Sequence, residues 1–401
     1  MKSFTTKFST LLLTFAIGTT TASVAFCQTS TKKSIKVKKT DSVLSTSSTL
    51  SKQKTLEMVF VLDTTGSMGG LIEGAKQKIW SIVNDVMQRK DRPNVKIGLV
   101  AYRDNSDAYV TQVTPLTDDL DKIYTKLMDF RAEGGGDTPE NVRRALAEGV
   151  EKVGWTKTNS NTAQILFLVG DAPPQNYVQE PDVLVTTEKA VKQNMIVNTI
   201  QCGNASDTRQ IWQTIALRGE GKYFAIAQDG GVQAISTPFD AKLAELANKL
   251  GSTYLSYGGG EGPAGERFRQ ENELKQAATE SKVLADAPMA AQADRAVNKA
   301  INSVAYSNDL LQSIENETVK LEDVKEADLP ASLKKLSAAE RKIVVAQKLE
   351  ERKAIRAEIV ELSKKRDEFI KAERVKMGKQ DGFDSAVSNA LSEQMMRKGI
   401  K

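Results

Sequence analysis

The chain reads as an α/β protein in which a mostly parallel sheet, covered by helices on both faces, precedes an all-α region. Three observations predict this. Between Thr55 and Gly251, apolar runs of strand length alternate with amphipathic stretches of helix length, the pattern of strands buried on both faces. The run Gly258-Gly259-Gly260-Glu261-Gly262-Pro263 ends the alternation, since neither helix nor strand tolerates it comfortably. Beyond it Ala, Glu, Lys, Gln and Leu dominate and strand signals almost vanish, as several long helices require.

The N-terminus reads as a leader. Lys2 and Lys7 precede the apolar stretch Leu11 to Ile17, and small residues follow at Ser23 and Ala25, the three parts of a secretory signal over residues 1–27. That stretch falls short of the ~20 residues a spanning helix needs, and no later segment supplies them. Cleavage after Ala25 or after Cys27 satisfies the small-residue rule equally. Phe26 stands where a lipoprotein signal wants a small residue, so lipid attachment at Cys27 is the second choice. Residues 28–54 are almost entirely Ser, Thr and Lys, with little to bury, and read as a tether. The expectation is an exported protein, periplasmic or secreted.

The next elements follow from periodicity. Leu56 to Leu62 is a buried strand. Ile72 to Met87 is a helix with Ile72, Ile79, Ile82, Val83 and Val86 on one side. Val95 to Ala101 is a second strand, Tyr109 to Val113 a short third, and Leu120 to Phe130 a helix. Asn141 to Val153 is helical, Ile165 to Val169 a strand, Val183 to Lys192 a helix, Ile196 to Ile200 a strand, Thr208 to Leu217 a helix and Tyr223 to Ile226 a strand. Trp80, Trp155 and Trp212 belong with the packing of these helices. Residues 55–251 thus form the sheet domain, 252–265 a Gly-rich linker and 266–401 a helical region interrupted near Pro288, Pro330 and Gly378. In its most basic helix Ile355, Ile359, Leu362 and Phe369 make a stripe, with Arg366 at the remaining seam position. The stripe is too short for a long coiled coil and suits an antiparallel bundle or hairpin. The net basic stretch Arg341 to Lys379 reads as a solvated helix face.

Composition removes much chemistry. Among 401 residues there is no histidine and there are two cysteines. Catalytic triads, histidine zinc sites, structural four-ligand zinc sites and disulfide frameworks are therefore excluded. The formal charge is +5, from 56 Lys and Arg against 51 Asp and Glu, and falls to +3 once the signal removes Lys2 and Lys7. That is too little to argue for nucleic acid. Cys202 follows the apolar run Ile196 to Ile200 and reads as a buried small residue.

Three loops carry oxygen ligands. Asp63-Thr64-Thr65-Gly66-Ser67-Met68-Gly69-Gly70 leaves the first strand at its carboxyl end, where open parallel sheets bind ligands. Gly134-Gly135-Gly136-Asp137-Thr138-Pro139-Glu140 precedes a helix; Pro139 suits a first helical position, which makes Thr138 the N-cap. Val169-Gly170-Asp171-Ala172-Pro173-Pro174 ends a later strand. Together they offer two carboxylates and three hydroxyls. Such a set suits a hard divalent cation, Mg²⁺ above all, with Mn²⁺ or Ca²⁺ as alternatives. Capping of the first helix by Asp63, Thr65 and Ser67 is the plain alternative for one motif alone.

Asp63-x-Thr65-x-Ser67, Thr138 and Asp171 resemble the metal-ion-dependent adhesion site of von Willebrand factor type A domains. The flanking Val100-Ala101-Tyr102-Arg103-Asp104, the Gly134 to Glu140 loop and Gly170 to Pro174 are similar to the hemicentin and alpha-kinase-linked bacterial branch. The resemblance implies a doubly wound, Rossmann-like sheet of about six strands, parallel but for a short edge strand. It implies that Thr65, Ser67 and Thr138 bind the metal directly or through water, while Asp63 and Asp171 supply charge. A carboxylate from a protein partner then fills an open coordination position. Thr65 stands where integrin-type members carry Ser, keeping the hydroxyl and adding a methyl. Asp104, Asp137 and Glu140 are placed on the rim.

The expected function is adhesion or protein–protein interaction through the metal, without catalysis, nucleic acid or a membrane span; the helices act as spacer or oligomer contact. One alternative is an envelope or assembly protein acting through those helices. Another is a haloacid-dehalogenase-like phosphotransferase with Asp63 as nucleophile. It lacks the lysine that such enzymes place before the later acid, since none occurs between Ala163 and Gly170.

Overall fold

The computed structural model describes residues 54–89, 92–136, 139–231, 235–377 and 383–400. The signal, Cys27, nearly all of the tether, Asp137, Thr138 and the break at Gly378 lie outside the described residues.

Strand β1 (Thr55–Asp63) alternates its side chains between two cores. Leu56, Met58, Phe60 and Leu62 face one, Val59 and Val61 the other, the period of two that a doubly covered strand requires. It is flanked by β2 (Asn94–Tyr102) and β4 (Thr162–Gly170), both parallel to it. Outside these lie β3 (Thr111–Thr117), antiparallel to β2, and β5 (Ile196–Cys202) with β6 (Glu220–Ile226), both parallel. The order β3-β2-β1-β4-β5-β6 is that of a doubly wound sheet and places the topological switch between β1 and β4.

Strand β3 runs later than the apolar residues Tyr109 to Val113 suggest. Its sequence TQVTPLT puts Pro115 in the strand, and the ladder with β2 shifts register between Ile97 and Leu99. An edge strand with an irregularity accepts a proline because one side of its backbone needs no partner.

Helices α3 (Val142–Glu151), α4 (Val183–Lys192) and α5 (Ser206–Arg218) cover the Val59 face through residues such as Leu146, Ala190 and Trp212. The opposite face takes α1 (Gly69–Met87) and α2 (Leu120–Asp129). The start of α3 corrects the capping expected at Thr138. Asn141 is the N-cap, its side chain accepting from Arg144 N, so Pro139 precedes the helix.

After β6 the chain continues through α6 (Asp240–Gly251), α7 (Gly262–Asp286), α8 (Met289–Ile301), α9 (Leu310–Glu315), α10 (Ala331–Lys334), α11 (Ala338–Met377) and α12 (Phe383–Arg397). Pro288 and Pro330 sit at the caps of α8 and α10, where a missing N–H costs nothing. The Gly258 to Gly260 run is tied down: Gly258 N donates to Asp328 O at 2.8 Å and Gly260 N to Asp328 Oδ1 at 2.7 Å.

Helix α6 does not lie on the sheet; with α8 and α11 it forms a separate core of Leu243, Leu246, Leu250, Ala293, Val297, Ile355 and Ile359. The place beside α1 belongs to α12. Its Phe383, Val387, Leu391 and Met395 join the core of Phe60 and Phe167, as does Ile400 beyond it. The rings of Phe60 and Phe383 are 6.0 Å apart. Two buried amides lock the contact. Asn198 Nδ2 of β5 donates to Gln394 Oε1 at 2.9 Å, and Gln394 Nε2 returns to Asn198 Oδ1 at 2.6 Å.

Buried arginines fix the other helices. Arg366, at the seam of α11, donates to Asp240 of α6 at 2.7 Å and Asp294 of α8 at 2.6 Å. Arg295 of α8 pairs with Asp121 of α2 and Glu280 of α7. Cys202 is buried and free. Among the described residues no helix is long and apolar enough to cross a membrane.

Candidate metal centre

Asp63 is the last residue of β1 and is wholly buried. Its Oδ1 accepts from Thr65 N at 2.9 Å and Thr65 Oγ1 at 2.7 Å. Its Oδ2 is buried and makes no well-formed hydrogen bond among the described residues, although the Tyr102 hydroxyl stands beside it and helps to hold its charge. Thr65 Oγ1 lies 3.4 Å from Ser67 Oγ, on a single 3-10 turn, Gly66–Met68, that leads into α1. Neither that turn nor α1 has a side-chain cap hydrogen bond, so these oxygens are not engaged in capping. Thr65 is buried and Ser67 exposed, which opens the cluster to solvent on one side.

The loop is held by its neighbours. Thr64 N and Oγ1 both donate to Tyr102 O at 2.9 Å, and Thr64 Oγ1 lies 2.7 Å from Tyr109 Oη. Thr64 O accepts from Glu133 N and from Arg103 Nε at 3.2 Å. Gly66 N donates to Gly134 O at 3.2 Å. Gly134 and Gly135 adopt φ of +79° and +78°, a region that side chains disfavour. A Cβ on Gly134 would collide with Asp107, and one on Gly135 would stand 2.9 Å from Thr65 Cβ.

Asp171 follows β4, across the switch point, and is partly buried. Its Oδ2 accepts from Gln228 Nε2 at 2.6 Å and its carbonyl from Thr208 Oγ1 at 3.0 Å. A Cβ on Gly170 would press on Asp63 Oδ2 and Tyr102 Oη, so glycine there lets the two acidic loops approach. Asp104 and Glu140, expected on the rim, are buried at 3% and 4% exposure, each with an unpartnered oxygen. Asp104 accepts from Tyr177 Oη through its other oxygen. Asp63, Thr65, Ser67 and Glu140 are thus gathered, with Asp171 beside them. Thr138 and Asp137 fall outside the described residues, between Gly135 and Glu140, which flank Thr65.

Three contributors escape motif reading. Asp107 accepts from Gly135 N at 3.1 Å and from Asp104 N at 3.1 Å, setting the glycine loop. Gln228 and Tyr177 orient the acids of the crevice. Each lies outside the motifs, on a loop brought near only by the sheet's order.

Electrostatically the crevice favours a cation. Burial, with Asp171 adding like charge, pushes the Asp63 carboxyl up to about 7. Burial, with Asp63, Asp104, Asp107 and Asp171, pushes Glu140 up to about 8. Among the described residues no three acids are gathered closely enough to hold a metal alone, so a cation here would need hydroxyl and water oxygens as well. The donor set fits a hard divalent ion: oxygen only, with unpaired buried carboxylate oxygens on Asp63, Asp104 and Glu140 and an exposed hydroxyl on Ser67. Asp63, Thr65 and Ser67 would hold it, with Asp171 contributing charge.

These shifts set the pH dependence of the metal-free protein. An acid whose folded pKa is raised binds its proton more tightly folded than unfolded, so stability falls as pH climbs from the unfolded value to the folded one. The metal-free melting temperature is expected to drop between about pH 5 and about pH 8. Saturating Mg²⁺ should remove most of that slope. Differential scanning calorimetry with and without EDTA checks it.

An oxygen-lined crevice with a buried aspartate lies at the carboxyl edge of a doubly wound sheet, and together they define the class of α/β domain. Residues 57–238 match the family model for the von Willebrand factor A domain, and that part of the chain is a von Willebrand factor A domain. It is 27% identical over 158 residues to a "Putative ariadne-like RING finger protein" of Acanthamoeba polyphaga mimivirus, covering 37% of this chain and 15% of that protein. It is 29% identical over 195 residues to von Willebrand factor A domain-containing protein 7 of Mus musculus, covering 48% and 20%. The Rattus norvegicus protein of the same name is 38% identical over 87 residues, covering 22% and 9%. The chain spans a fifth or less of the length of these relatives. A solved structure titled "Crystal Structure of the SpRpn10 VWA domain" aligns at 16% identity and a TM-score of 0.33, over 44% of this chain and 89% of that one.

Proposed function

We propose that the protein is exported and binds an acidic protein partner through a divalent cation, Mg²⁺ first, held at the Asp63 crevice. The family supplies the general role, a protein-interaction module. The observation that carries the metal reading is Asp63 itself: a fully buried carboxylate with one oxygen unpartnered, 2.7 Å from a hydroxyl that adjoins exposed Ser67. A buried charge left so is costly unless a cation meets it. A cation held mostly by hydroxyls and water keeps its attraction for an incoming carboxylate, and exposed Ser67 marks the side from which one can arrive.

The test is capture of partners by the immobilised mature chain in Mg²⁺, in EDTA, and with Asp63→Asn in Mg²⁺. Partners are expected only in the first case. Equal capture in all three would contradict metal bridging.

A further inference from the structure

Glu140 is a carboxylate with no role among the metal-holding residues and no hydrogen-bond partner for its buried Oε2. Its backbone is clamped from both sides. Glu140 N donates to Pro173 O at 3.2 Å, and Glu140 O accepts from Gln175 N at 2.8 Å, so the residue is pinned to the loop that follows β4 and carries Asp171. Its side chain is directed at the crevice: the point where a Cβ on Gly135 would stand is 2.9 Å from Thr65 Cβ and 3.2 Å from Glu140 Oε1. The two side chains thus flank one glycine, and glycine is what keeps the gap between them open.

Among the described residues the leading charged neighbours of this carboxylate carry its own sign. The strongest charged influences upon it are Asp63, Asp104, Asp107 and Asp171, all acids. The nearby arginine of the crevice, Arg103, is turned to Thr64 O and Arg131 O and pairs with Glu133. A buried acid whose strongest charged neighbours are acids, with Oε2 unpartnered among the described residues, makes sense where a cation and its water occupy the gap.

We infer that Glu140 is an outer-shell carboxylate of the same metal centre, accepting from water on the cation and adding a third negative charge to those of Asp63 and Asp171. This rests on the metal reading proposed above. Glu140 is a positioning residue: it raises affinity for the cation by orienting its water and neutralising its charge. The added charge also makes the loaded site less attractive to an incoming carboxylate, so Glu140 sets the balance between holding the metal and capturing the partner.

The experiment is Mn²⁺ titration of the mature chain, followed by electron paramagnetic resonance, on the wild type, Glu140→Gln and Asp63→Asn, with metal-free melting temperatures measured alongside. Glu140→Gln is expected to weaken Mn²⁺ binding about ten- to a hundredfold, while its metal-free melting temperature is not lowered, because the amide keeps the shape of the side chain and Oε2 has no bond to lose. Binding within twofold of wild type would overturn the inference. So would a lowered metal-free melting temperature with unchanged affinity, the mark of a structural role. Undiminished uptake by Asp63→Asn would instead remove the metal reading beneath it. Should Glu140→Gln not fold, Glu140→Asp keeps the charge one methylene short and should weaken binding in the same direction, by less.

Discussion

Ending the chain at Met377 is expected to unfold the sheet domain, although the cut lies beyond the residues that build the sheet. The loss removes α12 and with it Phe383, Val387, Leu391, Met395 and Ile400 from one continuous core with Phe60 and Phe167. Burial of a large apolar side chain is worth about 1.5–3 kcal/mol, so five of them together approach the ~5–15 kcal/mol by which a whole domain is stable. Truncation also strips Asn198 of its amide partner at the centre of β5, at a cost of about 1–3 kcal/mol. The expected result is a protein without a cooperative melting transition, with strong binding of a hydrophobic dye. Gln394→Leu isolates the amide term and should lower stability by about 1–3 kcal/mol while leaving the fold intact. A truncated chain that melts like the wild type would show that α12 is dispensable. The same reasoning makes residues 55–251 unsuitable as a separate test piece: without α12 that segment exposes the apolar face of its own sheet.

The second large effect is at Asp63. Asp63→Asn keeps a carbonyl oxygen to accept from Thr65 N and Oγ1 but removes the buried charge. Cation binding should be lost, while metal-free stability should rise by about 1–3 kcal/mol above about pH 7, where the wild-type carboxyl is ionised in its buried place. A substitution that stabilises the empty protein and abolishes its ligand is the mark of a functional charge rather than a structural one. Paired thermal melts with and without Mg²⁺ read both halves: the wild type should gain stability with the metal, and the variant should not.

The sheet was legible because its signal is local. Leu56 to Leu62 and Ile165 to Val169 are buried on both faces, so each reads as a near-continuous apolar run, broken only by Glu57. The three oxygen-bearing loops were legible because residues at fixed positions beyond strand ends form short motifs. Strand β3 was displaced because Thr111 to Thr117 is an edge strand, where Val113 and Leu116 only half bury and Pro115 is tolerated. The start of α3 was legible at Asn141, but its cap was assigned to Thr138 because Pro139 mimics an N1 residue, whereas Asn141 supplies the side-chain bond. Asp107 and Gln228 gave no signal because their roles exist only after folding; Asp107 meets Gly135 across 28 residues and Gln228 meets Asp171 across 57. The placing of α12 was hidden for the same reason. An amphipathic helix announces that it has an apolar face, and not which surface that face will cover. Arg366 shows the converse: a charge on an apolar seam looked like an interruption, yet it is the ion pair joining α11 to α6 and α8.

The most direct measurement is calorimetric titration of the mature full-length chain with Mg²⁺ and Mn²⁺, repeated on Asp63→Asn. One divalent cation bound per wild-type chain, and none by the variant while it remains folded, is the result predicted here. No uptake by the folded wild type at millimolar metal, or equal uptake by both proteins, would contradict a metal centre built on Asp63.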